Sequence, residues 1–112
     1  MNSNFNVLIT GCSSGLGKHL ADKFESENHI VLRHNGSKHY DLTSQEEIYN
    51  LSVEAISLGV NVLINNAAIV CPNIELKSYD QDLINNMIDV NLRAPILLTK
   101  YLLTNLTKPV NI

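Results

Sequence analysis

An α/β fold built on a doubly wound parallel sheet is predicted by three features of this 112-residue chain. Short apolar runs at residues 5–9, 29–33 and 60–64 alternate with segments whose apolar residues recur at helical spacing. Turn-forming residues mark each change of period, among them Gly11, Asn35-Gly36, Gly59 and Asn65-Asn66. Strands that alternate with helices build a parallel sheet covered on both faces and joined by right-handed crossovers.

Each element can be justified in order. The first strand, residues 5–9, runs into Thr10-Gly11-Cys12-Ser13-Ser14-Gly15-Leu16-Gly17, which opens a helix with Leu16, Leu20, Ala21 and Phe24 on one face. His29-Ile30-Val31-Leu32-Arg33 reads as the second strand, closed by the Asn35-Gly36 turn, and a short third strand is expected at 38–42. Ser44 and Glu47 have the spacing of a capping box. The helix they start presents Ile48, Leu51, Ala55 and Ile56 and ends at Gly59. Residues 60–64 carry the strongest strand signal, and a loop containing Pro72 fills 70–77. From Ser78 a long helical pattern follows, through Leu83, Met87 and Ile88 to Leu97, Tyr101 and Leu102, and Pro95 predicts a break or kink near 93–95. Residues 109–112 start a fifth strand in which the sequence stops. The expectation is therefore one domain, 1–112, with an incomplete sheet, marginal stability and a tendency to self-associate as a homo-oligomer.

Composition narrows the function. At 45% hydrophobic and 17% charged residues the chain is globular, and a formal net charge of -3 without a basic stripe argues against a nucleic-acid partner. No apolar stretch approaches the roughly 18 residues of a membrane span, and residues 1–4 do not read as a secretory signal. Cys12 and Cys71 are far apart and form no C-x-x-C pair, so two reduced thiols in a cytoplasmic protein are expected. His19, His29, His34 and His39 lack a metal-ligand spacing, and no metal site is expected.

The stretch from Thr10 to Gly17 carries the chemistry. Strand, glycine-rich turn and helix together suit a nucleotide phosphate, because glycine admits positive φ and close approach while the helix N-terminus offers unpaired N–H groups. Gly11 would make the turn, Gly15 would admit a pyrophosphate and Gly17 would let the helix lie close to its strand; the plainer alternative is a tight connection that binds nothing. In such a sheet a ligand sits at the carboxyl ends of the strands, beside the first strand.

The spacing Thr10-Gly11-x-x-x-Gly15-x-Gly17 resembles the cofactor loop of the short-chain dehydrogenase/reductase family, with Ser13, Ser14 and Leu16 inside it. Asp41-Leu42 resembles the family's Asp-Leu pair that contacts adenine, although a capping Asp ahead of Thr43 is equally consistent with local chemistry. Asn65-Asn66-Ala67-Ala68 is similar to the family's Asn-Asn-Ala-Gly, which shapes the cofactor pocket and steadies the central strand; Ala68 stands where the family has glycine, and a polar turn is the plain alternative. Asn91 matches the Asn that in the family holds a water linking the active-site Lys to solvent. A basic Arg33 at the end of the second strand, with no Asp or Glu between Asn28 and Tyr40, favours NADP over NAD, unless Arg33 is simply a surface residue.

The resemblance implies a Rossmann-like fold and hydride transfer between NAD(P) and a small-molecule alcohol or carbonyl substrate. It covers the family's cofactor-binding half. The family's Tyr-x-x-x-Lys has no match, since Ser44, Val53, Leu83 and Asn105 stand four positions after the tyrosines. Two alternatives stay open: a nucleotide-binding module without catalysis, and an inactive truncated remnant.

Overall fold

The computed structural model of the chain describes residues 4–105 and 111–112. Three parallel strands form an open sheet in the order β2-β1-β3: β1 (Asn6–Ile9), β2 (Ile30–Arg33) and β3 (Val62–Ile64). The helices are α1 (Gly15–Ser26), α2 (Gln45–Ser57), α3 (Gln81–Ile88) and α4 (Ala94–Asn105), with a π-helical turn, Asp89–Arg93, between the last two. The chain therefore moves from β1 to β2 on one side and returns to β3 on the other. This order creates a crevice outside the carboxyl ends of the strands where the connections diverge.

The period-2 alternation of β1 decides which helix goes where. Val7 and Ile9 pack with Cys12 and Ala21 on the α1 face, together with Leu20 and Phe24. Leu8 faces the other way and joins Leu32, Leu63, Ile48, Leu51, Ala55, Leu98 and Leu102. Burying a side chain such as Leu8, which is 0% exposed, contributes about 2 kcal/mol. Doubly wound layering follows from this alternation, with α1 on one face and α2 and α4 on the opposite face.

Several local expectations are corrected. No strand forms at 38–42: the His39 and Tyr40 amides both donate to the Gly36 carbonyl at 3.0 and 3.2 Å, in a turn made by Gly36 at φ 89°. The groups a strand would need are engaged elsewhere, the Tyr40 carbonyl by the His34 ring and the Asp41 amide by the Glu47 carboxylate. Leu16, assigned to the apolar face of α1, is 64% exposed because it lies in the first turn beside the open space around Gly15. β3 begins at Val62, since the Val60 amide still caps α2 by donating to Ala55. The disruption expected near 93–95 takes the form of the π turn just before Pro95; a proline lacks the N–H that would close the preceding turn. Residues 109 and 110 of the last expected strand lie outside the described residues, while Asn111 forms a parallel bridge with Val62.

Candidate functional site

The site grows from the end of β1. Thr10 is 3% exposed, and its hydroxyl accepts from the Asn66 and Ala67 amides at 3.1 and 3.0 Å. The Asn66 side-chain amide donates in turn to the Thr10 and Gly11 carbonyls, both at 3.1 Å. These four bonds tie the loop after β1 to the loop after β3. Gly11 (φ 72°) takes part in the closure, because a Cβ there would stand 2.9 Å from the Ala67 Cα. At Gly17 a Cβ would collide with the Gly11 carbonyl oxygen and crowd the Asn66 amide. Gly15 differs from both. Its φ of 61° favours glycine, but nothing lies within 4 Å of where a Cβ would be.

The helix that Gly15 opens is also unlike its neighbours. Ser44 caps α2 by accepting from the Glu47 amide, and Asp80 caps α3 by accepting from the Leu83 amide. Each of those helices carries acidic residues in its first turn. Ser14, at the corresponding position of α1, makes no side-chain cap, and the first turn of α1 holds no acidic residue. With neither a cap nor a carboxylate there, and open space beside Gly15, the start of α1 is suited to an anion. Cys12, inside the turn, is buried; burial pushes its thiol up from the ordinary range, and the thiol donates to the Ile9 carbonyl, so it fills space as a small apolar side chain.

On the β2 side the first residue after the strand, His34, is 2% exposed and bonds to both the Gly11 amide and the Tyr40 carbonyl. Asp41 does not cap α2, a task Ser44 performs; its Oδ1 accepts from the Thr43 amide at 2.9 Å and the Thr43 hydroxyl at 2.7 Å. Those two bonds hold the Asp41 carboxyl below the usual carboxylate range. Leu42 is buried in the core beneath the cleft. Arg33 reaches back to α1, where its guanidinium bonds to Asp22 at 2.6 Å and to Glu25.

A cleft of about 670 Å³ opens at the carboxyl ends of the strands. Of the residues singled out from the sequence, Gly11, Ser13, Ser14, Asp41, Leu42, Asn66, Ala67 and Ala68 line it. Thr10 and Gly17 lie behind its wall as the supports just described. Asn65 faces a separate crevice with Thr10, Leu42, Ala94 and Leu98. Asn91 stands on the π turn and pairs with the backbone of Ile69, accepting from its amide at 2.7 Å and donating to its carbonyl at 2.8 Å. That pairing fixes the loop at 68–70, of which Ala68, Ile69 and Val70 line the cleft. Sequence reasoning missed His34, Tyr40 and Thr43 as lining residues. For His34 the available signal was its position directly after the second strand, at a carboxyl end.

Taken together, a parallel sheet with a crevice at its switch point, an open glycine and an uncapped helix start define a dinucleotide-binding type of α/β protein. The family model described as short chain dehydrogenase matches residues 34–111, and the chain belongs to that family. An uncharacterised short-chain type dehydrogenase/reductase of Sinorhizobium fredii is 29% identical, aligned over 87% of this chain and 44% of its own length. Among solved structures, 4-hydroxyisoleucine dehydrogenase complexed with NADH is similar at 27% identity and a TM-score of 0.79, covering 90% of this chain and 49% of that one. A short chain dehydrogenase from Burkholderia cenocepacia, in complex with NADP, shares the fold with a TM-score of 0.74 at 20% identity, over 91% of this chain and 51% of that one. The chain thus spans about half the length of the relatives it matches.

Proposed function

We propose that this chain carries the cofactor side of a nicotinamide-dependent oxidoreductase acting on a small alcohol or carbonyl compound. The observation that carries the reading is Gly15: a left-handed backbone residue with empty space where its side chain would be, at the mouth of an uncapped helix. Packing contributes at Gly11 and Gly17, whereas at Gly15 only the left-handed backbone calls for glycine, and the open space beside it leaves room for a pyrophosphate. A bound nicotinamide supplies the hydride acceptor or donor. The turn from Gly11 through Ser14 and Gly15 would hold the phosphates, and Asp41 and Leu42 would flank the adenine. The loop at 68–70, positioned by Asn91, would close the third side.

NADP is the cofactor we favour, because no carboxylate between Asn28 and Tyr40 could take the ribose hydroxyls and Arg33 lies at the end of β2. Its pairing with Asp22 and Glu25 offsets part of that charge, so discrimination over NAD should stay within about tenfold. The dehydrogenase solved with NADH supports the nicotinamide itself rather than the choice between the two forms. The sequence has no Tyr-x-x-x-Lys, which supports the second reading for the chain by itself: cofactor binding without turnover.

The test is a fluorescence titration of the 112-residue protein with NADPH and NADH, in parallel with Gly15→Val. Saturable binding that falls at least tenfold in the variant is expected, whereas stability falls by only about 1–2 kcal/mol from the left-handed backbone. A wild-type protein that melts cooperatively and binds neither nucleotide would overturn the proposal.

A further inference from the structure

The His34 side chain is buried at the cleft with both ring nitrogens bonded, and binding of the cofactor as read above does not by itself require it. Its backbone continues the sheet: the His34 amide donates to Ile9 at 3.0 Å and its carbonyl accepts from Cys12 at 2.7 Å. Its ring bridges two loops. Nδ1 lies 3.0 Å from the Gly11 amide, and Nε2 lies 2.7 Å from the Tyr40 carbonyl. A backbone N–H can only donate and a carbonyl can only accept, so these partners dictate one state: Nδ1 bare, Nε2 protonated, ring neutral. A proton added to Nδ1 would face the Gly11 N–H and break the bond that fixes the first glycine of the turn.

The titratable groups near the ring reinforce this. His39 stacks on it with centroids 6.1 Å apart, and a second cation there would oppose protonation. The Tyr40 phenol is turned to Glu54 of α2, the Cys12 thiol donates to Ile9, and the Asp41 carboxylate is held by Thr43. Arg33, next in the chain, is matched by Asp22 and Glu25 of α1. No carboxylate among these bonds to the imidazole. Burial lowers the His34 pKa from the ordinary 6.5, outweighing the Tyr40 carbonyl, which acts the other way.

We propose that His34 is a positioning residue of the cofactor cleft: its neutral ring locks the glycine turn to the loop at 35–41 and makes dinucleotide binding sensitive to acid. The inference rests on the cofactor reading above. Its sign follows from linkage. The unfolded chain takes up a proton near pH 6.5 and the folded one at lower pH, so stability and the ordered cleft are complete above that value. Stability declines as pH falls below 6.5, and the cleft loses its order as pH falls through the lower folded value, where the native ring takes up its proton.

Three measurements on the 112-residue protein separate the outcomes. First, NADH and NADPH titrations between about pH 5 and 7.5 should show wild-type affinity constant above pH 6.5 and falling several-fold at the acid end. Second, His34→Gln can accept from Gly11 and donate to Tyr40 but does not titrate. It should bind within about threefold of wild type at neutral pH and show a flat profile, whereas His34→Phe should bind about tenfold more weakly at every pH. Third, imidazole nitrogen chemical shifts by NMR should report the Nε2–H tautomer in the ligand-free protein. Acid sensitivity that persists in His34→Gln, or an Nδ1–H tautomer, would overturn the role of His34 while leaving the cofactor reading intact. A folded wild type with the Nε2–H tautomer but no nucleotide binding would overturn both. Should His34→Phe fail to fold, the glutamine variant and the tautomer still decide the matter.

Discussion

The two sides of the cleft are held by different physics. On the β1–β3 side, Thr10, Gly11, Gly17 and Asn66 lock together through two uncharged side chains, the Thr10 hydroxyl and the Asn66 amide, bonded to backbone groups, and through contacts that tolerate no Cβ. On the β2 side, the residues from Arg33 to Thr43 are held by titratable or charged side chains: the His34 ring, the Asp41 carboxylate on Thr43, and Arg33 on two carboxylates. One wall is built by steric fit and neutral hydrogen bonds. The other depends on charge state and responds to pH and salt. A cofactor spanning both would meet a rigid phosphate end and an adjustable adenosine end.

The largest expected effect lies on the rigid side. In an open helix, glycine to alanine stabilises by about 0.5–1 kcal/mol through lost backbone entropy of the unfolded chain. Gly17 is buried, and a Cβ there would strike the Gly11 carbonyl and crowd the Asn66 amide, neither of which can move without breaking the stitch between loops. Overpacking therefore outweighs propensity, and Gly17→Ala should destabilise by about 2–3 kcal/mol. Gly15→Ala meets no atom and should cost only about 1 kcal/mol for its left-handed backbone. Urea midpoints at unchanged slope check the pair. Equal costs would mean that the contacts of Gly17 do not distinguish it.

The same contrast explains what could be read from the sequence. The glycine spacing, the period-2 and helical patterns and the capping box at Ser44 are local signals, and they placed β1, α1, β2, α2 and the rigid wall. Residues 38–42 carry an equally local strand pattern, but Gly36 and the ring of His34 take the backbone groups a ladder needs. Burial of His34 depends on two loops meeting, one from residue 11 and one from residue 40. Tyr40 is a near neighbour in sequence, but Gly11 lies 23 residues away and no window around the histidine shows it. Arg33 was not transparent because its partners lie on another element, 8 and 11 residues back in the second half of α1. Asn91 was legible as a residue type, whereas its grip on Ile69 needed the π turn that presents it.

A smaller effect comes from the hydroxyl that joins β1 to β3. Thr10→Val keeps the shape but leaves the Asn66 and Ala67 amides facing a methyl group in a buried place, at a cost of about 2 kcal/mol. Thr10→Ser keeps the acceptor and should recover at least half of that loss. On the other wall, Asp41→Asn should cost less than 1 kcal/mol, since an amide oxygen can still accept from Thr43. The native Asp41 contribution is present above the ordinary carboxylate pKa of 3.8 and is lost as pH falls through its lower folded value. Thermal melts at neutral pH rank the three variants. A valine variant as stable as wild type would show that the two amides find water instead.

The smallest effect on stability should come from Arg33. Its partners Asp22 and Glu25 are about half exposed, and such pairs contribute at most about 1 kcal/mol, screened by salt. Arg33→Gln should therefore change stability by less than about 1 kcal/mol, and by nothing measurable in about 1 M NaCl. Its effect on cofactor choice should be larger than its effect on folding. If the guanidinium reads a ribose phosphate, NADPH must compete with two carboxylates, and the double variant Asp22→Asn, Glu25→Gln removes that competition. The ratio of NADPH to NADH affinity should then rise several-fold, up to about tenfold, as one charge pair near the surface allows. In Arg33→Gln the ratio should fall below the wild-type value. A ratio unmoved by either change would assign Arg33 to the surface of α1 and leave the adenosine end of the cleft without a phosphate reader, in which case NAD would be the better fit to the β2 side.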